Sequence, residues 1–164
     1  MKSPICSFDA KSGVLCTRCE EKLHSGGISQ DDVDASIRLT RLADRDSNIN
    51  KFTLVRAARV DGDFVLVFRR PDVSVLRSNA ILTDKIEREF GQKVWFAESE
   101  ASDRRFIENL LHPVNVSAVN QFWLPDGNKL TKAIVSQKAR FDMEKVQKIA
   151  KAVRGIELLI EFQQ

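Results

Sequence analysis

The run KFTLVRAARVDGDFVLVFRR, residues 51–70, decides the fold. Two stretches rich in β-branched and aromatic residues flank Asp61-Gly62, and an Asp-Gly pair between such runs is the strongest short-range signal for a two-residue hairpin turn. LTDKIEREFGQ (82–92) then reads as an amphipathic helix stopped by Gly91, and KVWFAES (93–99) as a third strand. The same order returns further on. VNVSAVNQFWLPDGNKLTKAIVS (114–136) is a second hairpin, turning at Pro125-Asp126-Gly127. DMEKVQKIAKAVRG (142–155) is a helix closed by Gly155, and IELLIEF (156–162) is a last strand. Hairpin, helical stretch and strand thus run over 52–97 and again over 115–162, a repeat in structure with little identity in letters. Each half suits one sheet with helices on one face. DRRFIENLL (103–111) is a helix that ends before His112-Pro113 and joins the halves directly, so the expectation is a rigid tandem.

Ahead of the first hairpin, ISQDDVDASIRLTRLADRD (28–46) reads as a helix. Ser29 can cap it, and Asp31 and Asp32 fall in its first turn, where the helix dipole favours acids. Ile28, Val33, Ile37 and Leu42 give a rough apolar stripe, with Arg38, Arg41 and Arg45 on its flanks. The glycines of SGG (25–27) separate this helix from CSFDAKSGVLCTRCEEKLH (6–24), which holds every cysteine of the chain.

Cys16 and Cys19 form a Cys-x-x-Cys pair, and Cys6 and Asp9 repeat that spacing. The spacing lets a tight turn aim both side chains at one cation, and two such turns close a tetrahedron. Gly13 supplies the permissive backbone for the reversal between them. Zinc accepts carboxylate oxygen, so Cys6, Asp9, Cys16 and Cys19 make a complete structural ligand set; His24, about a turn beyond Cys19 on the helix that EEKL suggests, is the rival fourth ligand. A closed site of this kind leaves no open position for a substrate.

The bulk numbers set outer bounds. A chain of 164 residues with 43% hydrophobic residues can bury one good core or two small ones. Net charge is +3, a mild basicity compatible with nucleic acid. No apolar run reaches the roughly 20 residues that span a bilayer, and MKSPICSF lacks the apolar core of a signal peptide, so the expected location is cytoplasmic with no membrane partner. An odd number of clustered cysteines fits metal binding better than a disulfide framework.

FGQKVWFAESEASDRRFIENLLHPVNV (90–116) resembles the segment joining tandem KH domains in the transcription factor NusA, where a helix runs from an acidic strand end through a Phe-x-x-Asn-x-Leu pattern to a Pro-Val or Pro-Ala step. Those positions are Phe106, Asn109, Leu111, Pro113 and Val114 here. IAKAVRGIELLIEF (149–162) likewise resembles the last helix and strand of the second NusA-type KH domain, and with the cysteine stretch in front the whole chain is similar to archaeal NusA-like KH proteins that carry a small zinc finger. In that family a fourth cysteine is expected where this chain has Asp9, which supports Asp9 as a substituted ligand. The resemblance covers roughly residues 50–162, and the fold class it implies is α+β: a zinc knuckle (1–27), a helical segment (28–48), and two type II KH domains (49–101 and 102–164) in rigid tandem.

What the resemblance implies is single-stranded RNA binding, through a Gly-x-x-Gly loop that clamps about four nucleotides. Counted back from TDKIEREFG, that loop falls at Arg77, Ser78, Asn79 and Ala80; in the second half it falls at Phe141, Asp142, Met143 and Glu144. Neither keeps a glycine. Around the first, Arg69, Arg70, Arg77, Lys85 and Arg88 can meet phosphates, and Ser78 and Asn79 can donate hydrogen bonds. Around the second, Asp142 and Glu144 repel phosphate, partly offset by Lys138 and Arg140. RNA contact is therefore expected at the first domain, with the second as scaffold or protein-binding surface.

Trp123, beside the second turn, is read as capping the small core, with base stacking as the alternative; Trp95 is read as packing against the helices, and His112 as a cap or surface residue. No nucleophile–base constellation, phosphate loop or dinucleotide fingerprint is present, so the chain reads as no enzyme and as having no small-molecule substrate. Two readings stand. One is an RNA-binding factor of transcription elongation or termination that holds nascent RNA or rRNA. The other is a docking module on RNA polymerase or the ribosome that has lost free RNA affinity.

Overall fold

The computed structural model describes residues 1–136 and 140–164. It is an α+β chain with helices α1 (Ser7–Ser12), α2 (Thr17–His24), α3 (Gln30–Arg45), α4 (Arg70–Arg77), α5 (Ala80–Phe90), α6 (Asp103–Leu111) and α7 (Met143–Arg154). Its strands are β1 (Leu54–Val60), β2 (Asp63–Phe68), β3 (Val94–Glu98), β4 (Val116–Trp123), β5 (Lys129–Val135) and β6 (Glu157–Phe162). The chain divides into two compact units, Met1–Glu100 and Ala101–Gln164. No helix is long and apolar enough to cross a membrane among the described residues.

The first unit holds a sheet of order β1-β2-β3, with β1 antiparallel and β3 parallel to β2. The turn between β1 and β2 is the expected two-residue one: Val60 pairs with Asp63, and Asp61 and Gly62 sit at φ 49° and 85°. Two successive positive φ values make the turn that matches strand twist. Nothing lies within 4 Å of a Cβ built on Gly62, so Gly62→Ala meets no clash and costs only the backbone strain, about 1 kcal/mol in chemical denaturation. The parallel return to β3 is made by α4 and α5. One cluster fills the face under them: Leu39, Leu42 and Ala43 from α3, Phe64, Leu66 and Phe68 from β2, Val73 and Leu76 from α4, and Leu82, Ile86 and Phe90 from α5. Phe64 and Phe90 meet edge to face at 4.8 Å.

Trp95 departs from expectation. Val94 and Phe96 join the helix-facing cluster, so the strand alternation turns Trp95 to the opposite face. There its indole N–H donates to Asp63 Oδ2 at 3.0 Å, and Lys93 Nζ lies 4.2 Å from the ring centroid.

α3 opens with a reciprocal capping box. The Ser29 hydroxyl accepts from the Asp32 N–H, and Asp32 Oδ2 accepts from the Ser29 N–H at 2.8 Å. Asp32 and Asp31 then reach across to the free edge of β1: Asp32 Oδ1 accepts from Ala57 N and Asp31 Oδ2 from Arg59 N at 2.9 Å. At the start of the same strand Lys2 forms a parallel bridge to Thr53, donating to Phe52 O and accepting from Leu54 N. The N–H groups of Leu54, Ala57 and Arg59 on this edge strand are thereby satisfied within the chain.

The second unit repeats the sheet: order β4-β5-β6, antiparallel and then parallel. Here α7 packs on β6, and α6 packs on both α7 and β4. Ala133, Val135, Val146, Ile149, Ala150, Leu158 and Ile160 are buried. α7 is started by Asp142, whose Oδ1 accepts from Lys145 N at 3.0 Å, and stopped by Gly155 at φ 66°. Trp123 does not cap this core. It stands at the hairpin tip with 75% of its surface exposed, beside Phe122 at 44%.

Candidate metal centre

Both pairs sit at the starts of short helices; the helix expected over EEKL is α2, whereas the helix after Cys6 gave no sign in the sequence. Cys6 precedes α1 and Asp9 lies in its first turn; Cys16 precedes α2 and Cys19 lies in its first turn. In each pair the first residue has extended backbone and its carbonyl accepts the first helical N–H, from Ala10 at 3.0 Å and from Glu20 at 2.9 Å. The two side chains of a pair therefore leave on the same side of the opening turn. Gly13 ends α1 at φ 78°, its N–H donating to Asp9 O at 2.8 Å, and turns the chain back toward Cys16.

The result is a single cluster. One ligand atom from each of Cys6, Asp9, Cys16 and Cys19 lies within 4.8 Å of all the others. A tetrahedral ion bonded at about 2.3 Å sets its ligands about 3.8 Å apart, so the difference is within the reach of side-chain rotation. Asp9 and Cys19 are buried, each at 1% exposure, while Cys6 and Cys16 face solvent. The cysteines are all free thiols. His24 closes α2 on the exposed side and is not part of the cluster, so of the two fourth ligands considered Asp9 is the one brought to the thiols.

Asp9 carries the test of fit. Its Oδ2 accepts the Cys16 N–H at 2.9 Å and ties the two helical starts together. Its Oδ1 is buried with no hydrogen-bond partner. A cation among the three thiols would give that oxygen a partner; without one its burial costs free energy. The Cys16 N–H holds the Asp9 carboxyl down at about 2; burial pushes the Cys19 thiol up to about 12. A buried thiol of that kind becomes a thiolate only when a positive charge arrives, so metal entry must release a proton. The cluster is anchored on α3: Ile5, Ala10, Cys19 and Val33 form a small core with Leu15, Leu23, Ile28 and Ile37 around it.

The residues expected near RNA lie in the same unit. α4 ends at Arg77 and α5 begins at Ala80, so the helix junction falls on Ser78 and Asn79. Asn79 Oδ1 caps α5 by accepting from Leu82 N at 3.2 Å, and Ser78 Oγ donates to Val75 O at 2.8 Å. Arg77 donates to Phe96 O at 3.3 Å. Arg69 forks onto Asp72 through two hydrogen bonds of 3.2 Å, while Arg70, mostly exposed, lies 3.9 Å from Glu98.

Lys85 and Arg88 do not join that junction; they line a separate cleft between α5 and the end of α3, where Lys85 donates to Asp46 Oδ2 at 2.7 Å. Arg45, read in the sequence only as a flank of α3, stands in the same cleft, and no local signal links residues so far apart. In the second unit Glu144 pairs with Lys148 at 3.2 Å and Arg140 is exposed; Lys138 lies outside the described residues.

No protein-family model and no curated protein matches this chain. Among solved structures, the crystal structure of APE1850 is similar, with a TM-score of 0.53 and 15% identity over 75% of this chain and 96% of that one. At such identity the likeness is one of fold.

Proposed function

We propose that this chain is a non-enzymatic RNA-binding accessory factor of gene expression, built from two NusA-like type II KH modules behind a structural zinc knuckle. The observation that carries the reading is the repeat itself: two sheets of one strand order and sense, the first carrying a short helix–helix junction at Ser78 and Asn79 that follows Arg77, with Arg70 at the other end of α4. Such a junction offers phosphates charge and hydrogen bonds from one side. Zinc suits three thiolates and a carboxylate oxygen, and a closed set of protein ligands gives it a structural role. The partner assembly on this reading is RNA polymerase or the ribosome, with single-stranded or nascent RNA held at the first module.

A second reading, a docking module with little free RNA affinity, is favoured by a specific feature. The junction lacks glycine, and Arg69 is committed to Asp72. The two readings separate by salt. Fluorescence anisotropy with a labelled single-stranded oligoribonucleotide should show affinity falling at least about tenfold between about 50 and 200 mM salt, since each neutralised phosphate releases counterions. The Arg70→Glu, Arg77→Glu double variant should bind about tenfold more weakly at fixed salt. A flat salt dependence, or unchanged affinity in the double variant, overturns RNA binding at this junction in favour of docking.

A further inference from the structure

The cleft between α3 and α5 has a volume of about 300 Å³ and is lined by Leu42, Arg45, Asp46, Lys85, Arg88 and Glu89. Its charges are layered. Arg45 pairs with Glu89, and Lys85 with Asp46, but the partners are unequally exposed: the cations keep 63% and 45% of their side-chain surface open, the carboxylates 16% and 11%. Each pair thus shows its positive end to solvent and keeps its negative end below. Arg88 is exposed and has no hydrogen-bond or ion-pair partner among the described residues. Leu42 is buried and supplies an apolar floor. The Lys85 hydrogen bond, with the Asn48 N–H behind it, holds the Asp46 carboxyl below the usual range.

This is the arrangement of an anion seat. Two carboxylates fix the directions of two cations, which limits the entropy those long side chains lose on binding, and a third cation is left uncommitted. We propose that the α3–α5 cleft binds a run of phosphates, with Arg88, unpaired among the described residues, making the central contact and Arg45 and Lys85 flanking it. The phosphates can come from an RNA backbone, which rests on the function proposed above, or from a free polyphosphate. The seat is distinct from the α4–α5 junction, because Lys85 and Arg88 face α3.

The test uses the full chain in its metal-loaded form and two probes: inorganic tripolyphosphate, and a single-stranded oligouridylate. Binding is followed by amide chemical shifts and by calorimetry. Tripolyphosphate is expected to move the amides of Arg45, Asp46, Lys85, Arg88 and Glu89 saturably, and Arg88→Ala to weaken it about tenfold. Arg88→Lys, which keeps the charge, should restore most of the affinity and shows that the loss is not one of folding. If oligouridylate shifts the same amides and also loses affinity in Arg88→Ala, the cleft takes backbone phosphate. If tripolyphosphate binds there and oligouridylate binds nowhere, the cleft stands as a polyphosphate seat and the RNA reading falls. If oligouridylate binds the wild type and Arg88→Ala equally, with no saturable shift from tripolyphosphate, the cleft proposal falls and the RNA reading survives. Binding of neither probe overturns both.

Discussion

Replacing Cys19 with serine will strip the protein of its metal and melt its first 27 residues without unfolding the sheet behind them. Cys19 is the most enclosed thiol of the cluster, 1% exposed and packed with Ile5, Ala10 and Val33. A serine hydroxyl is a poor zinc ligand at neutral pH, and among the described residues the cluster holds no His, Cys, Asp or Glu beyond its four members. Apparent binding energies of structural zinc in small fingers run to about 10 kcal/mol or more, so a zinc ion held by these four residues would contribute most of what holds helices as short as α1 and α2. Elemental analysis should find one zinc per wild-type chain and less than about a tenth of that in the variant. Hydrogen exchange should lose its protection over residues 6–24 and keep it in β1, β2 and β3, whose core is drawn from other residues. Asp9→Ala should weaken the metal at least about tenfold, and Asp9→Cys should bind it more tightly than the wild type, since thiolate is the softer ligand. A wild-type protein purified without stoichiometric metal, or a Cys19→Ser variant that retains it, would overturn the centre.

Asp32→Ala should be the most damaging single change to the first unit among its polar residues. One carboxylate there serves two backbone donors, Ser29 N at the helix start and Ala57 N on the edge of β1. Deleting it leaves an N–H without its partner on each of two elements, at about 1–3 kcal/mol apiece, so a total near 3 kcal/mol is expected. The methyl group that replaces the carboxylate offers neither donor anything. Ser29→Ala removes only the reciprocal half of the capping box and should cost about 1 kcal/mol. Urea denaturation of the three proteins checks the order. An Asp32→Ala cost no larger than that of Ser29→Ala would mean that water reaches Ala57 N, and that the carboxylate is a cap alone.

Much of the fold is legible in the letters because the signals that start and stop its elements are local. Asp61-Gly62 defines a turn by its own φ values, Gly91 and Gly155 end helices by theirs, and Ser29 with Asp32 starts α3 from within a single turn. The four atoms of the metal cluster are legible for the same reason, being two repeats of one short spacing joined by a glycine. Elements with weak local signals were harder to see. α1 is too short to show a period, and α4, opened by Pro71, runs into α5 with only Ser78 and Asn79 between.

Packing in three dimensions sets which side chains meet across long separations and which are left facing water. Asp32 and Ala57, or Lys85 and Asp46, are joined by packing of α3 against β1 and α5, and no spacing in the sequence encodes those pairs. Trp95 and Trp123 both looked like core residues because an apolar ring in a strand is equally consistent with either face of the sheet. Strand alternation buried Trp95 on the face away from α3 and α5, and the hairpin carried Trp123 out to its tip, in water. The repeated strands and the three thiol ligands could be read from the letters, since each depends on residues a few positions apart, whereas the choice of Asp9 over His24 came from the fold. The layering of charge in the α3–α5 cleft depended on burial, which exists only once the core has formed.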